Sequence, residues 1–305
     1  MAYSPTDFQF THLLQKLYRR LKTAKVSQAT GGSTTTVVDT KLPELLGDSN
    51  EDDYLNNWTV IVIKDAAGAG AAPEGEFNRI SDYDDAGTVT VPAALTAAVA
   101  SGDTYMYASP EFPLYDMTEV VNDALVSLGN VVAYDTSITT ADDQTEYTLP
   151  VKLKAQKLLG VEIQGITTDA NDNRWVPVPG WRAVYAAPGT AGTLIIPQYA
   201  SGYNIRITYL GLHSRVSAFA DYISESIHPE LAVAVCAAHA LQWYNTQTNG
   251  NNKYMLQRED RAWNQLDIAK SMYPVVVPVA RVEGFKHWSN PVYNFQDELL
   301  PLDVP

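Results

Sequence analysis

Apolar residues recur with helical spacing near the start of the chain and again after residue 115. Residues 8–25 carry an apolar stripe with basic residues mostly off it, and Asp7 can cap the start of this helix. Residues 116–128 carry a shorter stripe, and Asp116 and Glu119 have the spacing of a capping box. The stripe of the first helix consists of Phe10, Leu13, Leu14, Leu17 and Leu21. Both patterns predict helices that pack one face against protein.

Two longer helices are predicted towards the C-terminus. Residues from Pro229 onward are apolar nearly all round, which indicates a helix covered by protein on most sides. Residues 249–252 break this helix, and residues 253–272 return with a one-sided apolar pattern. Together the two helices are expected to form a hairpin. The buried stripe of the second helix is predicted to be Met255, Ala262, Leu266 and Ala269.

Short β-rich segments separated by Gly, Asp and Asn fill two further regions. In the first, residues 60–63 and 89–91 are predicted strands, and residues 82–87 between them read DYDDAG, a hairpin turn. In the second, the predicted strands are residues 145–149, 158–163, 175–178, 193–196 and 203–209. Strict alternation in residues 204–208 indicates one buried and one wet face, and the prolines after Trp175 indicate an edge or a bend.

The last 32 residues differ from the rest of the chain. Residues 274–305 contain five prolines, which exclude a long helix, yet they are too apolar for a solvated tail. We expect this arm to lie on a neighbouring subunit or partner, and packing on its own domain is the alternative. Its candidate contact residues are Phe285, Trp288, Tyr293 and Phe295.

These patterns predict an α+β fold with a helical scaffold that receives a small inserted β module. The predicted segments are an N-terminal helical segment at 1–30, the β module at 31–110 and a helix at 111–135. An antiparallel, β-sandwich-like region follows at 136–215, a C-terminal helical hairpin at 216–273 and the extended arm at 274–305. Such a layout fits a chain of 305 residues, of which 46% are hydrophobic.

Charge and cysteine content narrow the function. The net charge is −14, but the first 30 residues hold five basic residues against Asp7 alone. An acidic surface repels phosphate and argues against a conventional DNA-binding protein. The basic set is Lys16, Arg19, Arg20, Lys22 and Lys25. It can dock an acidic partner or DNA, although a helix packed on its own domain with a solvated basic face is the preferred interpretation.

Candidate chemistry is sparse. The single cysteine, Cys236, excludes an intrachain disulfide and is expected to be a buried apolar residue. The five histidines lack metal-ligand spacing and no nucleophile elbow occurs, so we expect no catalytic, metal or cofactor residues. Acidic clusters at 82–85 and 169–173 are explained by turns rather than by calcium. The sequence also lacks a membrane-spanning run and a cleavable leader, which predicts a soluble protein made in the cytoplasm.

Several motifs carry a resemblance to a known family. In the β module these are a Thr-rich entry, the Val37-Val38-Asp39 step, Tyr54-x-Asn-x-Trp58 before a strand, and Gly102-Asp-x-Tyr105. The later stretches DNRWVPVPGWRAVY, SGYNIRITYLGLH and ISESIHPELAVAVCAAHALQWYN extend the similarity over most of residues 31–247. Together they resemble head-to-tail connector, or neck adaptor, proteins of tailed bacteriophages.

The resemblance implies a non-enzymatic structural virion protein. It would form a homo-oligomeric ring, expected to be a dodecamer, that joins the portal to the tail or nozzle proteins. The genome would pass through the lumen without sequence-specific binding, and the ring would be assembled in the host cytoplasm without a membrane. The alternatives are a carbohydrate-binding or glycan-cleaving tail protein for host recognition, or another collar, baseplate or decoration component.

Overall fold

The structure of the chain, a computed structural model, describes residues 8–68, 70–150, 153, 157–164, 174–184 and 192–276. This part contains five α-helices and fifteen strands in four antiparallel sheets, which confirms the predicted α+β class. The described residues form two compact units. The scaffold unit holds those up to Leu128 and His213–Val275, and the sandwich unit holds those of Gly129–Leu212 and Val276.

All five helices belong to the scaffold unit. They are α1 (Phe10–Leu21), α2 (Leu42–Leu46), α3 (Leu114–Ser127), α4 (Pro229–Gln247) and α5 (Lys253–Met272). The predicted hairpin of α4 and α5 is confirmed, and the predicted stripe of α5 is its buried face. Helix α4 is buried continuously from Leu231 to Ala238, and Cys236 within it is fully buried, as expected. No described helix has the length and hydropathy needed to span a membrane.

Helix α1 is shorter than predicted. It ends at Leu21 because Lys22 adopts a left-handed conformation with φ of 56°, and its N–H bonds back to the last turn. Gln9 precedes the first turn, and its N–H donates to His12 Nδ1. The proposed cap, Asp7, lies outside the described residues. Residues 24–28, which the sequence placed in the N-terminal helical segment, form a strand because an existing strand pairs with all five of them.

The β module consists of eight strands in two sheets. They are β1 (Ala24–Gln28), β2 (Gly31–Gly32), β3 (Thr36–Val38), β4 (Thr59–Lys64), β5 (Phe77–Arg79), β6 (Asp82–Asp84), β7 (Thr88–Thr90) and β8 (Thr104–Ala108). One sheet has the order β1-β8-β4-β5 and the other β2-β3-β7-β6. A single apolar core, which includes Val37, Val60, Val89 and Tyr105, lines the facing sides of both sheets.

The predicted acidic hairpin turn is present, but it joins different strands than its position suggested. It connects β6 to β7, whereas the two predicted strands, β4 and β7, belong to separate sheets. Asp84 accepts from the N–H of Ala86 through Oδ1, and Gly87 has φ of 96°. This is the predicted turn chemistry, in which a carboxylate bonds its own backbone and glycine supplies positive φ.

The helix predicted at residues 116–128 begins earlier, at Leu114. Pro113 occupies the position before the first turn, and no side chain caps the backbone there, so the proposed capping box of Asp116 and Glu119 is wrong. Asp116 instead lies in the first turn, where a negative charge favours the helix dipole. The segment predicted as helical to residue 135 also contains the start of a strand at Val131.

Seven strands form the sandwich unit. They are β9 (Val131–Thr139), β10 (Glu146–Thr148), β11 (Lys157–Gln164), β12 (Trp175–Pro177), β13 (Arg182–Val184), β14 (Thr193–Ile195) and β15 (Asn204–Gly211). The sheets have the orders β12-β11-β15-β9 and β10-β14-β13, and one apolar core contains residues from both. The five predicted strands are confirmed, as is the edge position of the segment after Trp175. Strand β15 alternates buried and less buried residues, as its sequence predicted.

Candidate partner-binding surfaces

Lys16, the first of the predicted basic contact residues, has partners within its own chain. Its Nζ lies 2.8 Å from Glu230 Oε1 in the first turn of α4, and 5.9 Å from the centre of the Phe8 ring. The hydrogen bond from Lys16 is the main cause that lowers the pKa of Glu230 from its ordinary value. Lys16 therefore joins α1 to α4 in the folded chain.

The other four basic residues divide into two pairs. Arg20 Nη2 donates to Gln265 Oε1 at 2.9 Å, and Lys25 Nζ donates to the Leu45 carbonyl at 2.5 Å. Arg19 and Lys22 are exposed, and their side chains have no hydrogen bond or ion pair with another residue that the structure describes. The apolar stripe of α1 is buried within the scaffold unit. The free positive charge on this helix is thus concentrated at its C-terminal end.

The candidate contact residues of the aromatic arm lie beyond the described part of the chain. Phe285, Trp288, Tyr293 and Phe295 all lie outside the described residues, and the described chain ends at Val276. Near this end, Met272 and Val276 are exposed by 62% and 64% of their surface. Apolar surface is therefore already exposed where the arm begins.

An open groove runs beside β1, at one edge of its sheet. It has a volume of about 520 Å³. The strand and its neighbour line one side with Val26, Ser27, Gln28 and Thr104, and the region of α2 lines the other with Lys41, Glu44 and Leu45. The groove combines apolar, polar and charged groups and lies along an edge strand.

The sandwich unit carries a row of stacked side chains that the sequence analysis did not identify. The guanidinium carbon of Arg206 lies 4.6 Å from the centre of the Trp175 ring and 5.3 Å from that of Tyr134. Arg206 Nε and Nη2 both donate to Glu162 Oε2, at 2.8 and 2.5 Å. Alternation in β15 placed Arg206 on the polar face, but its partners lie on other strands whose order the sequence did not reveal.

This row lies on a polar sheet face. Asn204 Nδ2 donates to Gln164 Oε1 at 2.9 Å. These two residues are the next pair on the same face of the sheet after Arg206 and Glu162. Tyr134 is exposed over 52% of its surface. Exposed aromatic rings beside amide and charged groups can stack on a sugar ring and hydrogen-bond its hydroxyl groups.

Histidines in the described part serve the fold. His213 is buried, with Nδ1 donating to the Ser214 carbonyl and Nε2 accepting from the Ser224 N–H. Burial is the main cause that lowers its pKa. His228 caps α4 by accepting from the Glu230 N–H, and its ring stacks on Tyr273 with centroids 4.0 Å apart. His287 lies outside the described residues.

The contact between Ser127 and His239 has the wrong direction for nucleophilic catalysis. Ser127 Oγ lies 3.2 Å from His239 Nε2 but donates its own proton to the Ala124 carbonyl at 2.7 Å. The imidazole therefore donates to the hydroxyl, whereas a general base must accept the hydroxyl proton. Burial is the main cause that lowers the pKa of His239.

The buried carboxylate of Asp39 is accounted for by its hydrogen bonds. Asp39 is fully buried and accepts from Ser27 Oγ and Tyr105 Oη through one oxygen and from the Lys41 N–H through the other. Among the described residues no cluster of His, Cys, Asp and Glu could hold a metal ion, and the acidic group at 169–173 lies outside them.

The accessible features of the described residues are the exposed Arg19 and Lys22 at the end of α1, the groove beside β1, and the polar face that carries Trp175, Arg206 and Tyr134. Comparison of the chain with models of known protein families and with curated protein sequences finds no match.

Proposed function

We propose that this chain is a structural virion protein of a tailed bacteriophage, a head-to-tail adaptor that forms a ring between the portal and the tail. The proposal begins from the sequence motifs of the β module and of the C-terminal half, which resemble neck adaptor proteins. Its location in the virion and its role in lining the DNA exit channel follow from the same resemblance.

The observation that carries the proposal is how the β module is attached to the helices. Strand β1 follows α1 after two residues, and β8 leads through a short connection into α3. The two connections are joined where Ser109 N donates to the Thr23 carbonyl at 2.8 Å, and Tyr18 Oη donates to the Phe112 carbonyl at 2.8 Å. A helical scaffold with a firmly held module is suited to a ring wall, because the module can contact a neighbour while the helices keep their position.

Charge supports the same function. Excluding the first 30 residues, the chain carries a net charge of −18, because those residues carry a charge of +4 and the total is −14. A negative wall repels DNA phosphates, so a genome can move along it without binding. The cationic end of α1 provides a separate patch that fits an acidic partner.

Mass photometry of the purified full-length chain, alone and with the portal protein of the same genome, tests this proposal. We expect the chain to join the portal in a stoichiometric ring. The same chain mixed with a portal from an unrelated phage is the control for non-specific association. A stable free trimer that ignores its portal would overturn the proposal.

A second candidate function, carbohydrate binding by a tail protein, is favoured by one observation. The face that carries Trp175, Arg206 and Tyr134 presents aromatic rings beside the Asn204 and Gln164 amides. An arginine held between two rings by Glu162 is also a common way to stiffen a sheet surface, which would need no ligand.

Tryptophan fluorescence during titration with host surface glycans distinguishes a sugar-binding face from one that only stiffens the sheet. A sugar-binding face predicts a saturable change that is lost in Trp175→Ala and kept in Trp263→Phe, which alters a tryptophan of α5. If wild type and Trp175→Ala respond alike, the face does not bind sugar.

A further inference from the structure

Among the described residues, one edge of strand β1 has no hydrogen-bond partner. Thr23 accepts from Ser109 N, and Ala29 donates to the Asp103 carbonyl, both at 2.8 Å. In an antiparallel pair, alternate residues exchange both backbone bonds with the partner strand, so the odd-numbered residues between them face β8. The N–H and C=O groups of Ala24, Val26 and Gln28 therefore point away from β8. No backbone or side-chain group in the described part of the chain bonds to them.

The open edge faces the groove described above. Val26 and Gln28 line it, with Leu45 on the opposite side. Lys25 lies on the same strand and donates to the Leu45 carbonyl. A lysine on an edge strand discourages indiscriminate pairing but leaves the backbone groups available to a matching segment. The groove thus offers the unpaired backbone groups of three residues together with apolar side chains, and Lys25 limits which segments can pair there.

The sequence of the arm contains a segment with the spacing that such an edge requires. Residues 274–281 read PVVVPVAR, and both prolines of this segment occupy even positions. Proline lacks an N–H and is tolerated in a strand only where that position faces away from the ladder. In an extended conformation, the odd residues Val275, Val277, Val279 and Arg281 present an unbroken row of N–H groups along one edge.

We propose that residues 275–281 of a second copy of this chain pair with β1 and extend its sheet by one strand. The inference deepens the proposed function and rests on it for the second copy, because a ring needs each subunit to hold the next. The strand would bond Ala24, Val26 and Gln28 through its odd residues, while Pro274 and Pro278 face outward.

The geometry of the scaffold unit favours a second copy over the same chain. Arg258 donates to the Leu21 carbonyl, so this part of α5 lies beside the start of β1. Gln265, further along α5, accepts from Arg20, and Tyr273, where the arm leaves, stacks on His228 next to the Lys16–Glu230 pair. Helix α5 thus runs from the end of α1 back towards its middle, and the chain leaves α5 on the side away from β1.

Because the prolines occupy even positions, proline substitutions at odd positions test the pairing, and substitutions at even positions are the controls. In the full-length chain, Val277→Pro and Val279→Pro each remove a donor from the bonding edge, whereas Val276→Pro and Ala280→Pro change residues on the opposite edge. We expect the odd variants to weaken ring formation, measured by mass photometry with the portal, by about tenfold each. The even variants should stay within about twofold of the wild type. Equal effects at odd and even positions would overturn the inference.

Amide hydrogen exchange shows whether β1 is the strand with which the arm pairs. On assembly of the wild type, exchange at Val26 and Gln28 should slow, and it should stay fast when Val279→Pro is mixed with the portal. Protection of these amides already in the isolated monomer would assign the groove to the chain's own arm and overturn the inference. Assembly without protection at Val26 and Gln28 would also overturn it, yet leave the adaptor function intact. Failure of the wild type to assemble at all would overturn both.

Discussion

Lys16 and Glu230, 214 residues apart in the chain, form an ion pair with Nζ and Oε1 2.8 Å apart. The pair joins the middle of α1 to the first turn of α4, so the N-terminal helix is held by the C-terminal hairpin. The two side chains retain 34% and 49% of their exposed surface, which places the pair among surface salt bridges of modest strength. Its role is to position α1 rather than to supply most of the stability.

Replacing Lys16 should therefore lower stability slightly and in a pH-dependent way. We expect Lys16→Met to reduce the free energy of unfolding by about 0.5 kcal/mol at neutral pH. The pKa of Glu230 is lowered in the folded chain, so this contribution is present above the ordinary carboxyl value of 4.5 and is lost as the pH falls through the folded pKa. Urea unfolding at neutral and acid pH measures the difference, with Lys22→Met as the control. A deficit that persists unchanged in acid would contradict this assignment.

Gly87 should be irreplaceable in the hairpin turn. Its φ is 96°, and a Cβ at this position would lie 2.2 Å from the Asp39 carbonyl oxygen. We expect Gly87→Ala to cost about 3 kcal/mol, because backbone strain and a clash act together. Gly202→Ala is the matched control, since Gly202 has the same φ, 96°, but an added Cβ would meet no described atom within 4 Å. The control should cost about 1 kcal/mol in thermal or urea unfolding. Equal losses in the two variants would show that close packing at Gly87 is unimportant.

Buried phenols should make the protein sensitive to alkali. Burial is the main cause that raises the pKa of Tyr18, Tyr105 and Tyr107 well above the ordinary value, and it raises the pKa of Tyr83 to about 12. A raised folded pKa gives stability that is complete below the unfolded value of 10.0 and is lost as the pH rises above it. Phenolate absorbance should therefore show a group of tyrosines that titrate only as the fold opens. Titration of all 18 tyrosines together while circular dichroism stays native would contradict this expectation.

Local pattern predicted the elements whose burial depends on a single periodicity. Helix α5 has its predicted bounds and stripe because an amphipathic helix needs only one covered face. The predicted alternation of β15 is likewise found in the structure, because one face of the strand packs into a core. By contrast, the local pattern places residues 24–28 in the N-terminal helical segment, because their strand identity comes from pairing with β8, about 80 residues later.

The surroundings of a candidate site depend on contacts across the sheets, which the sequence pattern does not show. Glu162 and Arg206 are 44 residues apart, and Trp175 and Tyr134 lie on two further strands. Sequence can place Arg206 on a polar face, but strand order decides which side chains surround it. The basic set on α1 shows the converse. The sequence shows these five residues as a cationic group, but only the fold reveals that Lys16 and Arg20 bond to other residues of the chain.

The difference between the bonded and the unbonded basic residues of α1 predicts which of them contact a partner. Arg19 and Lys22 are exposed without partners in the described part of the chain, so their removal should lower stability only slightly, through the lost interaction with the helix dipole. We expect Arg19→Ala combined with Lys22→Ala to weaken portal binding by about tenfold at low salt and to reduce its salt dependence, because exposed interface charges act mainly through screened attraction. Lys64→Ala with Lys253→Ala, which removes the same charge from other exposed positions, is the control. Binding assays across a salt series with melting curves of each variant give the comparison, and equal losses in the two double variants would point to net charge rather than to a site on α1.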